Sequence, residues 1–340
     1  MSSNSKAIPD GSWVLVVGAA SFVGSNIVQA FLKLGYKVRA TDYSLPQASW
    51  MADDFFASYA ADGHFELVIV PDIGEENAFD SVIKGVSAVI YVASVVTTFN
   101  PNDTIPLNIK GTLNALRAAT REPSVSRFVV TSSYGAAFTP NPDPSVRLDA
   151  NSWNDAAIAR AWAPPPYTPD RYNSVYMASK AEQEKALWKF VKEEKPHFTV
   201  NTVLPSWICG RLLNETQNPS SAICVRMLYN GDATYLRSLG IYSYVNVRDV
   251  ALIHVGAALD PEVANERIYA IARHTTWNDF LELMRKKYPE KHFIDDMPDL
   301  GRFSGTVDTS LGLKLLTKWG SQNGWTSLEE GLEETLDSVK

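Results

Sequence analysis

The segment Tyr176-Met177-Ala178-Ser179-Lys180 sets a phenol and an ammonium four residues apart. In a helix that spacing stacks both groups on one face. A nearby ammonium favours phenolate, which would lower the tyrosine pKa and suit it to exchange a proton with a carbonyl oxygen. Upstream, Thr131-Ser132-Ser133 closes the apolar run Arg127–Thr131, which reads as a strand. The carboxyl ends of parallel strands are where such sheets bind ligands, and a hydroxyl there can donate to a substrate oxygen. Taken alone, the same serine pair serves as a strand-end cap. Asn108, within Asn108-Ile109-Lys110-Gly111-Thr112, falls in mid-helix, where asparagine is mildly unfavourable. It either faces solvent or makes a specific side-chain or water contact.

A second constellation lies near the start. The loop Gly18-Ala19-Ala20-Ser21-Phe22-Val23-Gly24 follows the apolar run Trp13–Val17 and precedes a helical pattern. The spacing is GxxGxxG with Ser21 in place of the middle glycine. Backbone amides at a helix N-terminus attract a pyrophosphate, and glycines let it come close. Ser21 either adds a hydroxyl contact to phosphate or crowds the loop. Asp42 ends the second strand, 24 residues after Gly18. A carboxylate there accepts hydrogen bonds from the hydroxyls of an adenosine ribose.

These groups need a frame. Val23, Ile27, Phe31 and Leu34 recur at helical spacing, and Gly35 closes that helix. Lys37–Thr41, Phe65–Val70, Ala88–Val92, Arg127–Thr131 and Phe198–Leu204 read as further strands. Ala78–Ile83, Thr104–Thr120 and Val175–Val191 read as helices, and Thr139–Asp170 as a long loop. Such βαβ alternation predicts a Rossmann-type, doubly wound parallel sheet. The dinucleotide domain is expected over residues 8–205. Residues 240–275 are expected to return to it, with Tyr244–Val247 and Arg267–Ala272 as strands. A smaller, mainly helical C-terminal substrate lobe is expected over 206–239 and 276–340.

Composition narrows the class. The 340 residues suffice for about two domains at ~100–200 residues each. A hydrophobic share of 45% supports a full core, which excludes disorder as the main state. The net charge of −7 and the lack of a basic run argue against nucleic acid and anionic membrane as partners. Two cysteines argue against a disulfide scaffold, and the five histidines fall at no metal-ligand spacing. Met1 to Asp10 lack an apolar stretch, and no run is long enough to span a bilayer. A cytoplasmic protein without a metal is the expectation.

Taken in order, these motifs resemble the extended short-chain dehydrogenase/reductases. The chain is most similar to their dihydroflavonol reductase-like branch, and within it to fungal or yeast aldehyde/carbonyl reductases. The likeness extends through Gly111–Leu116, Tyr176–Lys180, Val247–Ala251 and Trp325–Glu330. It implies Ser133, Tyr176 and Lys180 as the catalytic set, with Asn108 matching the extended family's helix asparagine. It implies that Lys180 also holds the nicotinamide ribose. The dinucleotide set is then Gly18, Ser21, Phe22, Val23, Gly24, Asp42, Tyr43, Asp72, Ile73, Ala93, Lys180, Pro205 and Ile208. Asp72-Ile73 would flank adenine, and Pro205–Ile208 would lie beside the nicotinamide. Tyr43 stands where NADPH-dependent members carry an arginine, and Tyr91 where the branch often carries a histidine.

The expected activity is nicotinamide-dependent interconversion of a hydrophobic aldehyde or ketone with its alcohol. NAD(H) is expected to be preferred, with NADP(H) use depending on Arg39. The expected pocket walls are Val95, Val96, Phe99, Tyr134, Trp207, Met227 and Tyr244. A monomer or homodimer would carry the site. Two other readings share the fold: an NAD-retaining nucleotide-sugar epimerase or dehydratase, and a non-catalytic dinucleotide sensor. Tyr134-Gly135 after Ser133 counts against the first, and the Tyr176–Lys180 pair against the second.

Overall fold

Residues along Trp13–Val17 alternate between two cores. Val14 and Val16 pack into one apolar cluster, Leu15 and Val17 into another, and all four are buried. That two-sided burial is what a central parallel strand requires. The computed structural model describes residues 5–95, 98–139, 145–237, 239–240, 243–298 and 302–339. Seven strands form the main sheet: β1 (Trp13–Val17), β2 (Lys37–Asp42), β3 (Phe65–Ile69), β4 (Val86–Tyr91), β5 (Arg127–Thr131), β6 (Thr199–Pro205) and β7 (Arg267–Ala270). Their order is β7-β6-β5-β4-β1-β2-β3, and every pairing is parallel. The chain runs outward from β1 through β2 and β3, then restarts at β4 on β1's other side. That reversal opens a crevice at the carboxyl ends of β1 and β4.

Helices α1 (Phe22–Lys33) and α4 (Val247–Leu259) cover one face of the sheet. Helices α2 (Pro101–Thr120) and α3 (Tyr172–Glu194) pack together on the other. A separate apolar cluster joins helices Ser220–Tyr229, Trp277–Lys287 and Leu328–Val339 through Val225, Leu228, Phe280, Met284, Leu332 and Leu336. Cys209 and Cys224 are buried there as free thiols. Among the described residues no helix is long and apolar enough to cross a membrane.

Four expected elements differ. The Ala78–Ile83 segment is a series of turns, although Phe79, Val82 and Ile83 are buried. Asn77 before it and Gly85 after it both have positive φ, and the few residues between cannot support a stable helix. The expected loop from 139 to 170 holds the helix Asp155–Ala161, capped by Asn154, and the short strand Arg147–Leu148. The strand Ser243–Asn246 does not return to the main sheet. It pairs with Trp207–Cys209 and Arg273–His274 in a small sheet beside the crevice. Helix Ser310–Trp319 packs against α4, placing Leu315 and Leu316 in the core on that face of the main sheet.

One buried polar contact locks α4 to the sheet. His254 is fully buried, with Nδ1 2.8 Å from the Val250 carbonyl and Nε2 2.8 Å from Thr131 Oγ1. A carbonyl only accepts, so Nδ1 carries the proton and the Thr131 hydroxyl donates to Nε2. Burial pushes the imidazole down to about 4, from the ordinary 6.5. The folded state therefore holds His254 neutral, while the unfolded chain takes up a proton between those values. The stabilisation is complete above about pH 6.5 and is lost as pH falls toward 4. The unfolding-free-energy advantage of wild type over His254→Gln is expected to shrink by about 2 kcal/mol between pH 7 and pH 4.5. Urea titrations at the two pH values measure it, and a constant advantage would exclude imidazole titration as its source.

Candidate active site

The crevice opens into a cavity of about 1140 Å³, walled by both the main sheet and the small sheet. Its near end is the loop after β1. Gly18 has φ +80°, and a Cβ there would lie 2.8 Å from the Ala93 amide nitrogen. At Gly24 a Cβ would lie 2.3 Å from the Gly18 carbonyl oxygen. Both positions therefore require glycine: Gly18, at the cavity wall, to pass Ala93, and Gly24, behind that wall, to let α1 start against Gly18. Ser21 lines the cavity without crowding this loop. Its hydroxyl caps α1, accepting from Gly24 N at 3.1 Å and donating to Gly18 O at 2.7 Å.

Asp42 is buried at the end of β2 and lines the cavity. Its carboxylate accepts from Ala20 N at 3.2 Å and Tyr43 N at 2.9 Å. Burial moves its pKa upward against those backbone donors. Tyr43 is exposed, and its hydroxyl bonds Gln47. Arg39 turns elsewhere. It pairs with Glu66 and donates to the carbonyls of Val82 at 2.7 Å and Lys84 at 2.8 Å. Phe22, Val23, Asp72, Ile73, Ala93, Pro205 and Ile208 line the same cavity. Lys180 is its single cationic lining residue among those described.

The far end holds the polar groups at β5 and α3. Ser133 follows β5, and its Oγ accepts from Gly135 N at 3.1 Å. The Tyr176 phenol lines the same end of the cavity, where the Ser133 hydroxyl favours its ionised form. Burial nevertheless raises the phenol above its ordinary range, the opposite of the lowering expected from Lys180. Lys180 is buried one turn further along α3 and donates from Nζ to the Thr131 carbonyl at 3.0 Å. Burial brings its ammonium down to about 8, with Glu184 holding it partly up.

Asn108 is fully buried rather than set in the cavity. Its amide spans the Val95 backbone, accepting from N at 2.8 Å and donating to O at 2.7 Å. It also donates to Thr104 O and Ser179 Oγ. Asn108 thus fixes the wall segment after β4 against α3, and has no group left for a reacting molecule. Among the expected walls, Val95, Tyr134 and Trp207 line the cavity. Phe99, Met227 and Tyr244 do not, and Val96 lies outside the described residues. Tyr244 is fully buried in the core of the three-helix cluster, with its hydroxyl donating to Ser327 O at 2.8 Å. Strand alternation turns Tyr244 away and Ser243 toward the cavity. Met227 packs into the same core, because only the first turn of its helix reaches the cavity, through Ser220 and Ser221.

Sequence reasoning missed Gln217. It donates to Ala20 O at 3.0 Å and Ser25 Oγ at 2.8 Å, and accepts from Leu213 N at 2.9 Å. It sits in a polar stretch without periodicity, so no sequence signal marked it. Met177, Leu239 and Gly240 also line the cavity unannounced. For the glycine loop the expected outcome is sharp. Gly24→Ala is expected to weaken dinucleotide binding at least about tenfold, or ~1.4 kcal/mol, in a folded protein. Fluorescence titration with dinucleotide measures it, and unchanged affinity would place the pyrophosphate elsewhere.

Known proteins show the same architecture. The profile of the 3-beta hydroxysteroid dehydrogenase/isomerase family matches residues 15–285. Aldehyde reductase 2 of Sporidiobolus salmonicolor is 40% identical over 335 residues, covering 97% of each chain. The NAD-dependent epimerase/dehydratase terH of Aspergillus terreus is 37% identical, covering 99% of this chain and 100% of that one. The yeast methylglyoxal/isovaleraldehyde reductase Gre2, solved with NADPH, superposes with a TM-score of 0.80 at 25% identity, covering 96% and 98% of the two chains. The chain is accordingly an oxidoreductase of the extended short-chain dehydrogenase/reductases and belongs to the 3-beta hydroxysteroid dehydrogenase/isomerase family.

Proposed function

We propose that the protein is a nicotinamide-dependent carbonyl reductase acting on a hydrophobic aldehyde or ketone. The observation that carries this reading is the meeting of Ser133, Tyr176 and Lys180 at one end of the cavity, with Tyr176 and Lys180 one helical turn apart on α3. The glycine loop at Gly18 and the Asp42 carboxylate that lines the cavity beside it suit a dinucleotide. When bound, that group supplies a hydride from its nicotinamide to the carbonyl carbon. Ser133 Oγ orients the carbonyl oxygen, and Tyr176 delivers its phenolic proton there. A phenol kept protonated by burial is suited to act as an acid, which is the reducing direction. Lys180 then stabilises the phenolate left behind. Val95, Tyr134, Met177, Trp207 and Leu239 give the reacting end an apolar wall.

The epimerase or dehydratase reading, which the terH name keeps in view, lacks a comparable observation. A sugar nucleotide would add a second diphosphate, and Lys180 is the one cation among the described lining residues. Tyr176→Phe is expected to lower carbonyl-reduction kcat by roughly 10²–10⁴-fold while dinucleotide binding stays near normal. Near-normal turnover in that variant would sink the mechanism. Ser133→Ala is expected to cost roughly 10²–10³-fold and more than Ser132→Ala, and the reverse ranking would move the substrate oxygen to Ser132.

NAD(H) is the cofactor favoured by this chain's own residues, although the yeast relative was solved with NADPH. A 2′-phosphate would meet the Asp42 carboxylate, and Arg39 is committed to Glu66 and two carbonyls. Tyr43 offers no charge. A kcat/KM at least roughly tenfold higher with NADH than with NADPH is expected at equal pH and salt. Asp42→Ala combined with Tyr43→Arg is expected to move the ratio toward NADPH. Preference for NADPH in wild type would refute the argument.

A further inference from the structure

Behind the reacting groups lies a buried ion pair that the mechanism above does not use. Glu184 is two turns beyond Tyr176 and one beyond Lys180, and is almost completely buried. Its Oε1 accepts from Thr202 Oγ1 at 2.7 Å, Arg267 Nε at 2.8 Å and Trp188 Nε1 at 3.2 Å. Its Oε2 accepts from Ser132 Oγ at 2.6 Å and Arg267 Nη2 at 3.3 Å. Arg267 lies over the Trp153 ring at 3.9 Å and donates to the carbonyls of Ala150 and Ser152. One carboxylate thus joins α3, β5, β6 and β7. Its Ser132 bond ties the strand end that presents Ser133 to the helix that presents Tyr176 and Lys180.

The geometry points to Glu184 as a positioning residue for carbonyl reduction: through Ser132 it sets the register of Ser133 against Tyr176, and it places a carboxylate one helical turn from the Lys180 ammonium. This rests on the reductase reading. The second half follows from distance along α3, since i,i+4 residues are neighbours. Glu184 is the anion that bears on Lys180, while Asp149 acts together with it on Tyr269 of β7. Facing it, β7 brings Arg267 and β6 brings Thr202, while the neutral Asn108 and Thr112 of α2 bond Ser179 and Gln183 beside it. From α4, His254 reaches Thr131 while held neutral. Glu184 is the charged partner that raises the Lys180 ammonium against its burial.

Removing Glu184 alone would strand Arg267, so the principal variant is the double substitution Glu184→Met, Arg267→Met, a kind of exchange buried pairs tolerate. Glu184→Asp is its companion, keeping the charge and shortening the reach. The double variant is expected to bind dinucleotide and carbonyl within about threefold of wild type. Its kcat is expected to fall roughly 10- to 100-fold through misplacement of Ser133. The limb of its pH–kcat profile that falls at high pH is expected to move to lower pH, because Lys180 loses its proton sooner. Glu184→Asp is expected to keep that limb in place and lose only part of kcat. A folded double variant with kcat and limb within twofold of wild type overturns the proposal. So does a kcat loss with an unmoved limb and dinucleotide affinity weakened in step, the mark of a merely structural pair. Absence of carbonyl turnover in wild type fails the reductase reading itself and overturns this proposal with it.

Discussion

A carboxylate taken out of water must find a cation and fill its remaining lone pairs with donors, or it will not stay ionised. Glu184 meets both demands, and the places from which it draws donors define the site. Arg267 comes from β7, Thr202 from β6 and Ser132 from the end of β5. Shifting any of those strands along its axis would leave a buried charge short of a partner. The end of β5, the middle of β6 and the start of β7 are therefore registered to one another and to α3 by more than backbone pairing. Around that junction the strand end with Ser133 and the helix face with Tyr176 and Lys180 meet.

The cavity's two ends present opposite electrostatics. At the β1–β2 end stand backbone amides, a bare glycine and one carboxylate. At the β5–α3 end stand two hydroxyls and one ammonium, whose charge is held in place by a carbonyl and a buried anion. A long molecule with a hydroxyl-rich end and a reactive end has one favourable orientation in such a cleft. Arg39 sharpens this by its absence. A cation three residues before Asp42 could have reached toward the cavity, but Glu66 and two carbonyls hold it elsewhere.

The features legible in the sequence are those fixed by local geometry. Gly18 and Gly24 carry a loop shape that the five intervening positions cannot alter, and the Tyr176–Lys180 spacing is a property of any helix. Parallel strands announce themselves because both faces are buried. What stayed hidden depends on direction and distance. Tyr244 and Ser243 are equally plausible wall residues until the strand's phase is known, and residue type favours the wrong one. Phe79, Val82 and Ile83 satisfy a helical pattern, but the backbone breaks at Asn77 and the side chains reach the core from turns. Asn108 announced a contact without revealing that its partner would be the Val95 backbone. The role of Glu184 depends on Arg267, 83 residues further on.

Gln217 bears on how the site comes into being. Its bonds to the phosphate loop close a separation of 197 residues to Ala20 and 192 to Ser25. Contacts of that span are the slow part of folding, since the chain must be ordered before they repay its lost entropy. β1, α1 and β2 are neighbours in sequence and can assemble early. The tie from Gln217 must wait until most of the chain has been synthesised. The wall that Gln217 ties to the loop after β1 therefore depends on a long-range contact, not on its own stretch of chain.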